Sequence, residues 1–152
     1  MRISKLGLKF LAFAAVPAIL FLMLVGFFHS VKNQRGCEWA NIDNIEIHAH
    51  VNVPAVDSSD CLFDENENMK MAFFQLDTSQ LDPDEYVRKN RLSKVTSATP
   101  VSPLPFLNIT DRELQAGMRY VRMDSVNGHP SSHVFFHADE ARLWVTIAYQ
   151  KR

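Results

Sequence analysis

Hydrophobic and polar positions follow three successive patterns along the chain. Residues 10 to 28, FLAFAAVPAILFLMLVGFF, hold no charged and no strongly polar side chain. A spanning helix needs roughly 17–25 apolar residues, whereas a cleaved signal has an apolar core of roughly 7–15 ending in small residues. The run has the first length. Cutting after Gly26 or Ser30 would place Leu24 or Phe28 where a signal peptidase selects small side chains. We therefore expect an uncleaved anchor, with a cleaved signal as the alternative. Pro17 is compatible with a spanning helix. Cys37 lies nine residues past the run, not at its edge, so it does not read as a lipoprotein cysteine.

The second pattern is alternation. In NIEIHAHVNV, residues 44–53, apolar residues alternate with Glu46, His48, His50 and Asn52, which predicts a strand ended by Pro54. MKMAFFQL, residues 69–76, follows the polar stretch DENEN and predicts a second strand. Near the C-terminus MRYVRM, SSHVFFH and RLWVTIAYQ predict three more. If Ala138–Ala141 form a four-residue loop, His137 faces Arg142, Phe136 faces Leu143, Phe135 faces Trp144, Val134 faces Val145 and His133 faces Thr146. That register puts Val134, Phe136, Leu143, Val145, Ile147 and Tyr149 on a core face. His133, Phe135, His137, Arg142, Trp144 and Thr146 share the other.

The third pattern is helical punctuation. DPDEYVRKNRL, residues 82–92, starts with Asp82 as an N-cap, Pro83 at the first helical position and two acids in the first turn. TDRE, residues 110–113, matches a capping box of Thr110 and Glu113, with Gly117 to stop the helix. Between them, residues 93–109 contain Pro100, Pro103 and Pro105 and no glycine, which predicts a stiff extended crossing.

Charge orients the chain. Arg2, Lys5 and Lys9 precede the apolar run without an acid, which favours a cytoplasmic N-terminus. The part beyond the run carries 13 basic and 17 acidic residues, 13 − 17 = −4, which argues against nucleic acid or an anionic membrane surface as its main partner. Cys37 and Cys61 both fall beyond the run, and an even pair in an exported domain predicts a disulfide.

Candidate chemistry is sparse. His48 and His50 share one predicted strand face and His133 and His137 another, an arrangement that could hold a metal, but no cysteine or carboxylate stands beside them at ligand spacing. Asp64, Asn66 and Asn68 begin like a calcium loop, yet Met69 stands where glycine is needed and Gln75 where glutamate is needed. Asp124, Ser125, His129, Ser131, Ser132 and His133 are the residue types of hydrolytic sites and equally of turns, and no nucleophile elbow is present. We expect no catalytic site, no metal and no cofactor.

The resulting expectation is an α+β protein. Residues 1–9 form a cytoplasmic N-terminus, 10–28 a transmembrane signal-anchor helix and 29–36 a short tether. Residues 37–152 form an extracytoplasmic domain with an antiparallel sheet of about five strands and one or two short helices. His133, Phe135, His137, Arg142 and Trp144, aromatic and cationic groups on the sheet face away from the core, are the expected contact surface for another protein, with a second layer formed there by the 82–92 helix or the proline-rich crossing as the alternative. The leading functional expectation is a single-pass protein of the bacterial inner membrane whose periplasmic domain neutralises a toxin-like partner, as immunity proteins do. An accessory subunit of a membrane complex and a metal-binding or hydrolytic periplasmic domain are the alternatives.

Overall fold

A computed structural model describes residues 5–38, 41–96, 105–126 and 129–150, with the backbone alone for residues 5–14 and Pro130. The chain divides into two units, Met1–Gln34 and Arg35–Arg152.

The first unit is one helix, α1 (Lys5–Asn33). At 1.5 Å per residue its 29 residues reach about 43 Å, and its segment Ala15–Asn33 is long and apolar enough to cross a membrane. The side chains from Ala15 to Ser30 are exposed. The helix does not end with the apolar run. His29–Asn33 contain neither Pro nor Gly, so nothing interrupts the backbone ladder, and much of the expected tether is helical.

The second unit runs α2 (Asn41–Ala49), β1 (Val56–Asp64), β2 (Met69–Leu76), α3 (Pro83–Lys89), β3 (Ser93–Lys94), α4 (Asp111–Gln115), β4 (Arg119–Val126), β5 (His129–His137) and β6 (Arg142–Ala148). Its strands form one six-stranded sheet in the order β1-β2-β6-β5-β4-β3, and each neighbouring pair is antiparallel. The expected α+β class holds, with one strand more than expected.

Local signals place several elements where the sequence put them. Asp82 caps α3 by accepting from the amides of Asp84 and Glu85, and Thr110 and Glu113 form the capping box of α4. The β5–β6 register pairs His137 with Arg142, Phe136 with Leu143, Phe135 with Trp144, Val134 with Val145 and His133 with Thr146, as the alternation required. A 3-10 turn, Ala138–Glu140, followed by Ala141 at φ 51°, closes that hairpin. DENEN is the turn between β1 and β2, with the Asp64 carboxylate accepting from the amides of Asn66 and Glu67 and Asn68 at φ 53°. Cys37 and Cys61 form the expected disulfide, with Cα atoms 5.7 Å apart.

The first expected strand is an error. Residues 41–49 are helix, and the chain then runs through His50 at φ 49° into an extended link. Ile45 and Ala49 stand four positions apart and are fully buried together on one helix face, whereas Ile47, which the strand reading placed beside them, is 37% exposed. Over nine residues the two periods share too many positions for alternation alone to decide. The true first strand, β1, is polar and was not foreseen.

The main core lies between α2, α3 and one sheet face. It contains Ile45, Ala49, Val51, Phe74, Leu76, Tyr86, Phe136, Leu143 and Val145. Both helices end at one side chain. The Arg122 guanidinium, on β4, donates to the carbonyls of Ala49 and Asn90 at the C-terminal ends of α2 and α3, and to the Asp124 carboxylate. A cation there satisfies orphan carbonyls and complements two helix dipoles.

Candidate functional site

Strand alternation sends His133, Phe135, His137, Trp144 and Thr146 to the face opposite α2 and α3. Of the two expectations for this face, an open contact surface and a covering layer, the structure has the second: Phe135, Trp144, Thr146, His133 and His137 are all buried, and of this set only Arg142 is partly exposed. The cover is the segment 105–116, a strap consisting of an irregular stretch that turns at Leu107–Asn108, with Asn108 at φ 52°, and α4. Phe106, Ile109 and Leu114 pack on Val121, Phe135 and Trp144, and Leu107 packs on Met69 and Met71. The Phe106 ring lies 5.8 Å from that of Phe135 and 6.5 Å from that of His133.

Polar side chains on this face hold the strap by its carbonyls. Thr146 Oγ1 donates to Pro105 O at 2.5 Å and Trp144 Nε1 to Leu107 O at 3.1 Å. Arg119 donates to Leu114 O, and His137 Nε2 lies 3.1 Å from Ala116 O, which makes Nε2 the protonated nitrogen. Neither the irregular stretch before α4 nor the last turn of α4 can satisfy these carbonyls within itself, so the sheet beneath must supply donors. That is why the face reads as polar in the sequence although it is covered. Burial lowers the His133 pKa, and the nearby Asp124 carboxylate opposes the shift.

Concavities among the described residues flank these layers. One, about 540 Å³, lies between α4 and the β5–β6 turn and is lined by Thr110, Arg112, Glu113, Gly117, His137, Asp139, Glu140 and Arg142. Arg142 bridges Glu113 and Glu140, each at 2.7 Å. Hydrogen bonds from Thr110 and the pairing with Arg142 outweigh burial and hold the Glu113 carboxyl below its ordinary range. Gly117, at φ 76°, packs against His137 so closely that a Cβ would lie 2.6 Å from the ring and from the Asp139 carboxylate. A second cavity, about 270 Å³, has Phe73, Leu107 and Trp144 on its wall and Ser58, Ser59 and Asp60 of β1 along its side. A third, about 390 Å³, is lined by His50, Lys89, Arg91, Arg122 and Asp124.

The opposite face holds a polar group that the sequence reading missed. Lys70 is fully buried, and its Nζ donates to Asn44 Oδ1 at 2.9 Å, where the Tyr149 hydroxyl also donates at 2.9 Å. Desolvation lowers the Lys70 pKa to about 8 and raises that of Tyr149. Lys70 sits in phase with Ala72, Phe74 and Leu76, and that even spacing in MKMAFFQL is the signal that marks it as inward-facing.

The expected chemical groupings are separated. Ser132 Oγ donates to Asp124 Oδ2 at 3.2 Å, but Ser132 and His133 are consecutive strand residues and point to opposite faces, so they form no nucleophile–base pair. His48 packs edge-on against Tyr149, His50 lines the basic cavity, and His133 and His137 lie under the strap. Among the described residues no three His, Cys, Asp or Glu side chains are grouped to hold a metal ion. No protein-family model, no curated protein and no solved structure matches this chain.

Proposed function

We propose that this protein is a membrane-anchored protein-binding module of the immunity or inhibitor type. On this reading α1 spans the bacterial inner membrane and the domain that follows stands in the periplasm. A helix of spanning length and a disulfide in the following domain support an exported, anchored arrangement. The observation that carries the binding reading is the outer strand β1, which ends the sheet and is paired only on its β2 side among the described residues. An open strand on a sheet with layers on both faces is a rigid template for another chain.

The test is capture of the full-length tagged protein from solubilised envelopes, beside a version in which α1 is replaced by an unrelated anchor. One soluble protein recovered at stoichiometric yield with both versions is the expected result. Membrane subunits recovered with the native helix alone would overturn it in favour of the accessory-subunit reading. Recovery of the peptide spanning residues 10–28 on the bait checks the anchor, and a new terminus near residue 30 would refute it.

A further inference from the structure

Building on the protein-binding reading, we propose that β1 accepts an extended, cationic segment of the partner as a seventh strand, with one long basic side chain seated in the cavity beside Asp60. The amide of Leu76 donates to Ala141 O and the amide of Tyr149 to Asn68 O, so the even-numbered positions of β2 direct their backbone groups toward β6. The odd-numbered positions therefore face β1, where Gln75, Phe73, Met71 and Met69 stand opposite Ser58, Asp60, Leu62 and Asp64. Those four β1 residues are committed to the sheet. Ser59, Cys61 and Phe63 direct their backbone groups outward. The Cys61 amide already donates to the Asp60 carboxylate at 2.8 Å, as expected of an amide with no strand beside it. Among the described residues the amides of Ser59 and Phe63 and the carbonyls of all three have no strand partner and form the template.

Charge selects the occupant. Residues 36–69 contain eight Asp and Glu and no Lys or Arg. Asp57, Asp60 and Asp64 lie on β1, with Glu65 and Glu67 in the turn after it. At the other end of the sheet Lys94, Arg119 and Arg122 stand on β3 and β4. Like charges directly opposed across a strand pair repel, so a second β1 is disfavoured at this edge and a cationic strand is favoured. The cavity beside the edge, about 270 Å³, has Phe73, Leu107 and Trp144 for the aliphatic stem of a lysine or arginine and, for its head, the Asp60 carboxylate, whose Oδ2 accepts a long hydrogen bond of 3.3 Å from Asn108 that a cation would displace.

The experiment uses the full chain in nonionic detergent and three blocked ten-residue probes. One alternates Lys and Val, one alternates Glu and Val, and one is the Lys–Val peptide N-methylated on alternate residues. Amide exchange of Ser59 and Phe63 is the readout. The expected result is slowed exchange at both amides with the Lys–Val peptide alone, at low salt more than at high salt. A D57K/D60K double variant should weaken that binding on the order of tenfold or more. Ser59→Pro, which removes an outward amide and no pairing to β2, should abolish it, and Ser59→Ala should leave it intact. Equal protection by the Glu–Val or N-methylated probe, protection mapped to β4, or protection without a peptide that grows with protein concentration would each overturn the proposal. Should Ser59→Pro fail to fold, the N-methylated probe and the double variant still decide. In envelope capture, a partner retained at full yield by D57K/D60K would refute the cationic-strand proposal and leave the protein-binding reading standing. Absence of any soluble partner would refute that reading itself.

Discussion

The two faces of the sheet are closed in different ways. Over one, α2 and α3 present apolar side chains to Phe74, Phe136 and Leu143, and the carbonyls at their C-terminal ends are met by Arg122. Over the other, the strap brings carbonyls of an irregular stretch and of the end of α4, and Thr146, Trp144, Arg119 and His137 supply the donors. The helix-covered face is therefore mostly apolar, with the buried Lys70–Asn44–Tyr149 group as its exception, while the strap-covered face alternates aromatic residues with donors. Stability should follow this division. The helix side gains from burial of large apolar groups, and the strap side from hydrogen bonds that lose most of their net worth once water competes.

The largest contrast should come from truncating one aromatic ring on each side. Phe136→Ala removes a fully buried ring from the helix-side core and should cost about 3–5 kcal/mol of global stability in denaturant unfolding. Phe106→Ala removes a partly buried ring from the strap and should cost less, with faster amide exchange confined to residues 105–116. Equal global losses would show that the strap belongs to the same cooperative unit as the helices.

Next comes the disulfide, which joins the segment leading into α2 to β1. Replacing Cys37 and Cys61 by Ser removes a cross-link over 24 residues and should cost about 3 kcal/mol by the chain-entropy estimate. Exchange should quicken in α2 and β1 before the strap responds. The reverse order would contradict the division.

The pH dependence separates the faces chemically. On the helix side, the Lys70 amine loses its proton near pH 8 in the fold and near 10.5 when unfolded. Between these values the unfolded chain binds more protons, so stability should rise with pH through that window until the buried tyrosines reverse it above about pH 10. Lys70→Met should flatten the rise in unfolding free energy measured between pH 7.5 and 9.5. On the strap side, His133 has a lowered pKa, so acidification through pH 6.5 protonates the unfolded chain first and should destabilise the fold. Exchange in residues 105–109 should quicken there, and His133→Gln should remove the effect.

A smaller loss is expected from Trp144→Phe, which keeps the ring packing and deletes the donor to Leu107 O. The abandoned carbonyl should cost about 1–2 kcal/mol, read in unfolding and in the exchange of neighbouring strap amides. Smallest of all, Thr110→Ala removes one capping hydrogen bond from α4 and should cost about 0.5–1 kcal/mol.

Information that is local in the chain was legible in the chain. An uninterrupted apolar run reads as a helix long and apolar enough to cross a membrane because length and the absence of charge are properties of the segment itself. Asp82, Thr110 and Glu113 cap helices through side chains within three residues of the amides they serve. The β5–β6 register was readable because a short loop fixes which residues face each other, and a period of two then sorts both strands at once. Pairing of Cys37 with Cys61 needed only a count of two.

What depended on a distant partner was decided by the tertiary structure. Residues 44–53 alternate like a strand, yet those up to Ala49 are helical because Ile45 and Ala49 find the sheet surface together. The polar β1 had no hydrophobic pattern to announce it, and its strand character comes from pairing with β2 along its length. For His133, Phe135, His137 and Trp144 the alternation was equally compatible with an open face and with a covering layer. The strap supplies that layer, and a backbone carbonyl more than 35 residues away from Trp144 carries no mark in the sequence that it will be the acceptor.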